Sequence, residues 1–374
     1  MSGITTAAAV IPAISRQRLD DAVIAAAADC FAGFRPTDWQ VLEREAVKHR
    51  VAPLLHRNVG DVMARFADAS AESAARTIAA YSARHAERNS ILGSVVQEVL
   101  SAAAVADVPI VVRKGAHLAL AVYEEPGLRP MGDLDFLVPA EGAGSLTERL
   151  MATGFMEGTS VRGGPIEPLT RAKRLFFHLY GADVPQLHRP RPAPQQGVVT
   201  LDISTSVFIP HKGFHVPLDD LLERVTWADT QAGPLPVLGA EDVVLDLCVN
   251  IHRNLTTLRA MKQGKHRRLI NFVDVVEFIA RSAFAWPLFL RRVKQYDVVP
   301  PVFVALAHIG EMFPDVVPVE VLEGLAATSP DPDRLLRQYG QWELPEPLEW
   351  PDSYRSRCFD PERDVEIPVS RSLV

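Results

Sequence analysis

Residues 108–138 read VPIVVRKGAHLALAVYEEPGLRPMGDLDFLV. Val108-Pro-Ile-Val-Val-Arg113 is a short β-branched run that predicts a buried strand. Lys114-Gly115 ends it, and Ala116–Tyr123 predicts a helix. Glu124–Gly132, marked by Pro126, Gly127, Pro130 and Gly132, predicts a loop. Leu134–Val138 predicts a second strand. Asp133 and Asp135 stand two apart at its start, so the period of a strand puts both carboxylates on one face while Leu134 and Phe136 enter the other.

On either side of this mixed segment the patterning is helical. Residues 17–105 carry apolar residues and charges at helical spacing, with predicted helices over Leu19–Phe31, Asp38–Lys48 and Ala71–Ala104. Thr37 is the expected N-cap of the second, with Gln40 completing a capping box and Pro36 at N′. In the third, Ile78, Tyr81, Ile91, Val95 and Leu100 form a stripe. Downstream, Ser145–Thr153 predicts a helix closed by Gly154. Arg174–Leu179 and Val198–Val207 are strand-like, and Pro185–Gln196 predicts a loop between them. From Ala240 the chain is helical again, with further helices over Leu269–Ala280 and Pro287–Gln295. The fold class is α+β: an N-terminal helical region at 1–105, a mixed core at 106–237, a C-terminal helical region at 238–330 and a Pro-rich, charged tail at 331–374.

A chain of 374 residues exceeds one ordinary core. Hydrophobic residues at 48% and charged residues at 23% mark a globular protein rather than a disordered or fibrous one. The net charge of −7 argues against an extended nucleic-acid surface. Lys262–Arg268 is the one dense basic cluster, readable as a solvated loop or as a grip on an anion. The three cysteines form no CxxC pair, which argues against a zinc ribbon or disulfide framework and fits a cytoplasmic location. The apolar run Ala7–Ile14 lacks the basic flank of a secretory signal, and no uncharged apolar stretch is long enough to predict a membrane span. There is no P-loop, GxSxG or dinucleotide-binding glycine fingerprint.

Two carboxylates on one face repel each other unless a cation lies between them. Mg²⁺, or Mn²⁺ in its place, suits such a pair because it takes a few carboxylates together with phosphate oxygens and water. Lys114-Gly115 sits at a strand-to-helix turn, where glycine allows close backbone approach to a phosphate. Lys114 or Arg113 could add a positive charge there. Arg129 could reach the same phosphates or pin its own loop.

Lys114-Gly115-Ala116, Tyr123 and Pro126-Gly-Leu-Arg-Pro-Met-Gly-Asp-Leu-Asp-Phe-Leu-Val138 resemble the signature of an uncharacterised bacterial nucleotidyltransferase family of the polymerase-β-like superfamily. The resemblance extends over residues 40–285, taking in His49–His56 and Leu269–Ile279 with Asp274, and is most specific over 108–155. It implies a polymerase-β-like nucleotidyltransferase core, a small mixed sheet with helices, flanked by N- and C-terminal helical regions. It also implies a metal pair on Asp133 and Asp135 and a third carboxylate from a later strand. Asp202, in Val198-Val-Thr-Leu-Asp-Ile-Ser204, is the residue for that third place, as metal ligand or general base; a solvated strand end is the alternative. Relatives tend to carry Glu-Leu-His there, and this chain has Ser204 in place of the histidine. Simpler polymerase-β-like enzymes place Gly-Ser shortly before the Asp pair. Here Lys114-Gly115 holds the comparable turn, and Lys114 could substitute for the serine hydroxyl.

The resemblance therefore implies an Mg²⁺-dependent enzyme. It would transfer a nucleoside monophosphate from an NTP such as ATP to the hydroxyl of an acceptor, which could be a small molecule, a peptide or RNA. Asp133, Asp135 and Asp202 would form the metal and catalytic set, with Lys114, Gly115, Arg129 and Arg113 around the triphosphate. Two other readings keep the fold: a toxin-like enzyme acting on tRNA or protein, and a non-catalytic nucleotide-binding scaffold. His178 and His188 are structural residues or cleft-lining ones. The HxxxH of His211 and His215 is interrupted by glycine and does not predict a zinc site, and His252 with Cys248 predicts a core pair.

Overall fold

The computed structural model describes residues 3–159, 165–171, 184–191, 197–208 and 213–359. The chain divides into two compact units. The sheet unit comprises Glu87–Val122 and Met131–Asp246, and the helical unit comprises Met1–Ala86, Tyr123–Pro130 and Leu247–Leu373.

In the sheet unit the strands are β1 (Val111–Arg113), β2 (Leu134–Leu137), β3 (Met156–Thr159), β4 (Glu167–Pro168), β5 (Leu187–Pro190) and β6 (Val198–Ser204). They form a mixed sheet in the order β1-β2-β6-β5-β3-β4. The pairing of β2 with β6 is parallel, in the register Leu134↔Leu201, Asp135↔Asp202, Phe136↔Ile203 and Leu137↔Ser204. The neighbouring pairings are antiparallel. A parallel pair needs a long crossover rather than a tight turn, and the helix Ala140–Ala152 lies within the connection from β2 to β6. Gly154 follows that helix with φ +93°, the conformation a glycine terminator supplies at lowest cost. The sheet packs Phe136, Leu201 and Ile203 into one apolar core with Leu92, Val96 and Leu146. Two more strands, β7 (Thr226–Ala228) and β8 (Leu235–Val237), pair as an antiparallel hairpin.

Two segments depart from expectation here. Pro185–Gln196 is not all loop: Leu187–Pro190 forms β5 between β6 and β3. Leu187 and His188 are buried, and Pro190 sits at the strand's end, where a missing donor costs least. The segment Ala116–Tyr123 begins earlier, as a single α-turn at Lys114–His117, and continues as a π-helical turn at Leu118–Val122. The expected strand at Arg174–Leu179 lies outside the described residues.

The helical unit contains Asp21–Ala32, Pro36–Lys48 and Ala52–Met63, and later Ile270–Arg281, Trp286–Gln295 and Val299–Met312. The helix expected from Asp38 starts two residues earlier. Its N-cap is Arg35 rather than Thr37, Pro36 takes the first helical position, and Asp38 accepts from the Arg35 backbone N–H at 2.9 Å. Near the N-terminus Gly3–Ile14 is helical and buries Ile11 and Ile14. In the tail, Tyr354–Cys358 is helical, and Tyr354, Cys358 and Phe359 are buried. The helices Ala69–Val105 and Ala240–Thr256 each run across the division between the units. No helix among the described residues is long and apolar enough to cross a membrane.

Two buried histidines make the fold sensitive to acid. Burial pushes the ring of His117 down to about 4 against the opposing attraction of Asp246, and burial alone takes His252 to about 4. An unfolded ring binds its proton near pH 6.5. Between that value and about 4 the unfolded chain therefore holds more protons, and stability falls as the pH drops through this window. The expected loss is about 3 kcal/mol per ring at 1.36 kcal/mol per pH unit. Urea midpoints recorded from pH 7 to pH 4 should decline, and His117→Leu should show a shallower decline. An unchanged slope in that variant would mean that the ring is not held neutral.

Candidate functional site

The site is assembled on one face of the sheet unit. Asp135 occupies the centre of three register-matched positions, with Arg113 of β1 on one side and Asp202 of β6 on the other. Paired positions on adjacent strands project to the same face, so the two carboxylates are neighbours although they are distant in sequence. Lys114 follows directly on β1. Its ammonium lies 2.7 Å from Asp135 Oδ1, with only 11% and 12% of the two side chains exposed. The backbone of Lys114 has φ +44°, a left-handed conformation that side-chain-bearing residues seldom adopt. Gly115 is buried in the α-turn that follows.

Asp202 accepts a 3.4 Å hydrogen bond from Gln186 Nε2. Asp133 lies in the turn before β2, half-buried, and has no hydrogen-bond partner among the described residues. Arg88 Nη2 donates to the Gly132 carbonyl at 2.6 Å and fixes that turn.

Two arginines expected near a triphosphate are engaged in buried ion pairs. Arg113, 2% exposed, makes a two-pronged contact with Asp246, whose Oδ2 accepts from Nε at 3.0 Å. In the helical unit, Arg129 donates from Nη2 to Asp274 Oδ2 at 2.7 Å and from Nε to Oδ1 at 3.2 Å. Tyr123 adds a third bond to Asp274, from its hydroxyl to Oδ1 at 3.0 Å. Burial first, then the negative charge of Asp274, hold the Tyr123 phenol well above its ordinary pKa, so it is a donor. Of the two readings of Arg129 from sequence, loop pin and phosphate ligand, the geometry displays the pin.

His188 is buried between Thr200 Oγ1 at 3.0 Å and the Gly158 carbonyl at 3.1 Å, a structural histidine within the sheet. His178 and His211 lie outside the described residues. Cys248 and His252 are both buried, as a core pair would be. Within the basic cluster, His266 and Arg267 are buried, and Arg267 Nε donates to the Cys358 carbonyl at 3.2 Å, so the cluster is not one solvated patch.

Among the described residues, no three His, Cys, Asp or Glu side chains stand close enough together to hold a metal ion. The donor set fits Mg²⁺ in the mode that ion prefers. Asp135 and Asp202 are adjacent on the sheet, Asp133 is unpartnered among the described residues, and Mg²⁺ is ordinarily bound by one or two carboxylates with substrate phosphates completing its shell.

A family model described as uncharacterised nucleotidyltransferase matches residues 35–314 of the 374. The chain belongs to this family. The uncharacterised nucleotidyltransferase match takes in Arg113, Lys114, Gly115, Arg129, Asp133, Asp135 and Asp202, and also Asp246 and Asp274, the partners of the two arginines. No curated protein matches the chain. The crystal structure of an antigenic nucleotidyltransferase-like protein from Paracoccidioides brasiliensis is similar at 15% identity. That likeness covers 64% of this chain and 91% of the other at a TM-score of 0.37, too distant to carry an argument.

Sequence reasoning missed Asp246. Its signal is a carboxylate between Leu245 and Leu247 in a helix whose neighbouring side chains are buried. Asp246→Ala should destabilise the protein by about 3–5 kcal/mol, because it strands a buried guanidinium. The double variant Arg113→Met/Asp246→Leu should recover much of that loss in urea unfolding. A single variant within about 0.5 kcal/mol of wild type, the range of ordinary surface changes, would show that the pair is not buried as described.

Proposed function

We propose that this chain is an Mg²⁺-dependent nucleotidyltransferase that moves a nucleoside monophosphate from an NTP to an acceptor hydroxyl. The observation that carries this reading is the parallel register of β2 and β6, which sets Asp135 beside Asp202 on one sheet face. Membership of a nucleotidyltransferase family supports it. In the reaction, an oxygen of the acceptor attacks the α-phosphorus, the bond to the β-phosphate's bridging oxygen breaks, and pyrophosphate leaves.

Asp133 and Asp135 are assigned to hold the metal, which when bound neutralises phosphate charge and polarises the reacting oxygens. Asp202 is assigned as the base that takes the acceptor's proton. Lys114 and Gly115 meet the triphosphate at the turn after β1. Arg113 and Arg129 act by position: Arg113 anchors the end of β1 ahead of Lys114 through Asp246, and Arg129 fixes its own loop through Asp274. Catalysis of this kind rests mainly on positioning and charge stabilisation.

The test is thermal unfolding with ATP, GTP, CTP and UTP, each with and without Mg²⁺. Ligand at about 100 times its Kd adds roughly 2.7 kcal/mol, which for a chain of this size corresponds to a shift of about 3 °C. The expected outcome is an Mg²⁺-dependent shift with at least one nucleotide that disappears in Asp133→Asn/Asp135→Asn. A shift retained in the double variant would place nucleotide binding elsewhere.

A further inference from the structure

The Lys114–Asp135 contact poses a problem for the site that its chemistry can resolve. If Asp135 is to hold a cation, its oxygen is already taken by an ammonium 2.7 Å away. Both side chains are largely shielded from water, so the pair is screened far less than a surface ion pair. A bare divalent ion arriving at Asp135 must either share the carboxylate with that ammonium or displace it. Either way a mostly buried ammonium and a dication lie close together, an arrangement disfavoured by repulsion that solvent screens only weakly. A divalent ion that arrives with a triphosphate brings several negative charges. The displaced ammonium then has a new partner, and charge stays balanced across the exchange.

The backbone favours such an exchange at this residue. Arg113 is anchored to Asp246 by its buried guanidinium, so the chain immediately before Lys114 is fixed. Lys114 itself holds φ +44°, a strained conformation of the kind that persists where surrounding structure over-determines it. The result is a long, flexible side chain on an immobile root, placed where a lysine stem can turn from a carboxylate to a phosphate.

We propose that Lys114 is a built-in counter-ion that closes the carboxylate face to divalent cations alone and transfers to the triphosphate when metal and nucleotide arrive together. This rests on the nucleotidyltransferase reading and adds an order of binding to it. The left-handed φ of Lys114 supplies a suitable variant, because glycine adopts that conformation without strain. Lys114→Gly therefore removes the ammonium while favouring the backbone.

The experiment measures protein-bound Mn²⁺ by equilibrium dialysis, with the nucleotide at equal concentration on both sides of the membrane so that Mn²⁺ chelated by free nucleotide cancels. It is run on wild type, Lys114→Gly, Lys114→Arg and Asp135→Asn, first with Mn²⁺ alone and then with Mn²⁺ plus each of ATP, GTP, CTP and UTP. Without nucleotide, wild type and Lys114→Arg should bind Mn²⁺ weakly, and Lys114→Gly should bind it at least about tenfold more tightly, as expected when a shielded like charge is removed. With the preferred nucleotide the order reverses: wild type gains Mn²⁺ affinity strongly and Lys114→Gly gains little. Equal Mn²⁺ affinity of Lys114→Gly and wild type, with nucleotide-dependent uptake intact in wild type and lost in Asp135→Asn, would overturn the counter-ion role and leave the nucleotidyltransferase reading standing. No Mn²⁺ uptake by any of the proteins, with or without nucleotide, would overturn both.

Discussion

A charge removed from water must be met by an opposite charge, and in this chain the meetings join residues far apart in sequence. Arg113 reaches Asp246 across 133 residues, and Arg129 reaches Asp274 across 145. Such pairs add little net stability over an apolar replacement of the same volume, but losing one partner is costly. Their effect is therefore on specificity. A sheet register or loop placement that moved Arg113 or Arg129 out of reach would strand a guanidinium in the interior. The strand carrying Lys114 and the loop leading to Asp133 are each held at one end by such a pair. The backbone before Lys114 is thus set by charge pairing at a position that takes no part in the proposed chemistry.

Lys114 differs from these two arginines in kind. An arginine fork bound on two oxygens of one carboxylate is fixed in plane and direction. A lysine is a compact charge on a long stem, able to change partners with little rearrangement. The adjacent residues Arg113 and Lys114 thus divide two tasks, one holding the backbone and the other presenting a movable charge to the carboxylate face.

The local features of the site were legible in the sequence. The β-branched run before Arg113, the Lys114-Gly115 turn, the Gly/Pro loop and the Asp-x-Asp at the head of β2 all have short-range signatures, and the α+β class followed from them. Asp202 was also singled out as a candidate, because a carboxylate within Val198–Ser204 interrupts a strong strand pattern. The register that puts Asp202 beside Asp135 was not legible, since parallel pairing leaves no trace in either strand alone. Nor was the commitment of Arg113: a lone Asp246 in an apolar helix does not name its partner. β5 was hidden because Pro185 and Pro190 bracket it with turn signals. The π-turn at Leu118–Val122 has the composition of an ordinary helix. The misplaced N-cap had a simple cause: Pro36 is as acceptable inside the first turn as before it, and Asp38 captures the Arg35 N–H in place of the expected Thr37–Gln40 box.

The division of the chain has a bearing on how it is made. Neither unit is continuous: the helical unit takes its residues from before, within and after the sheet unit. A ribosome adding about 5–20 residues per second needs on the order of 10 s to travel from Arg129 to Asp274, 145 residues on. In both long-range pairs the arginine is the earlier member. The growing chain therefore carries two hydrated guanidinium groups whose interior places do not yet exist. The sheet unit can close its pair once Asp246 has emerged, whereas the helical unit must wait for Asp274. Vectorial synthesis thus imposes a sequence on the assembly of the two units, with the sheet unit complete first.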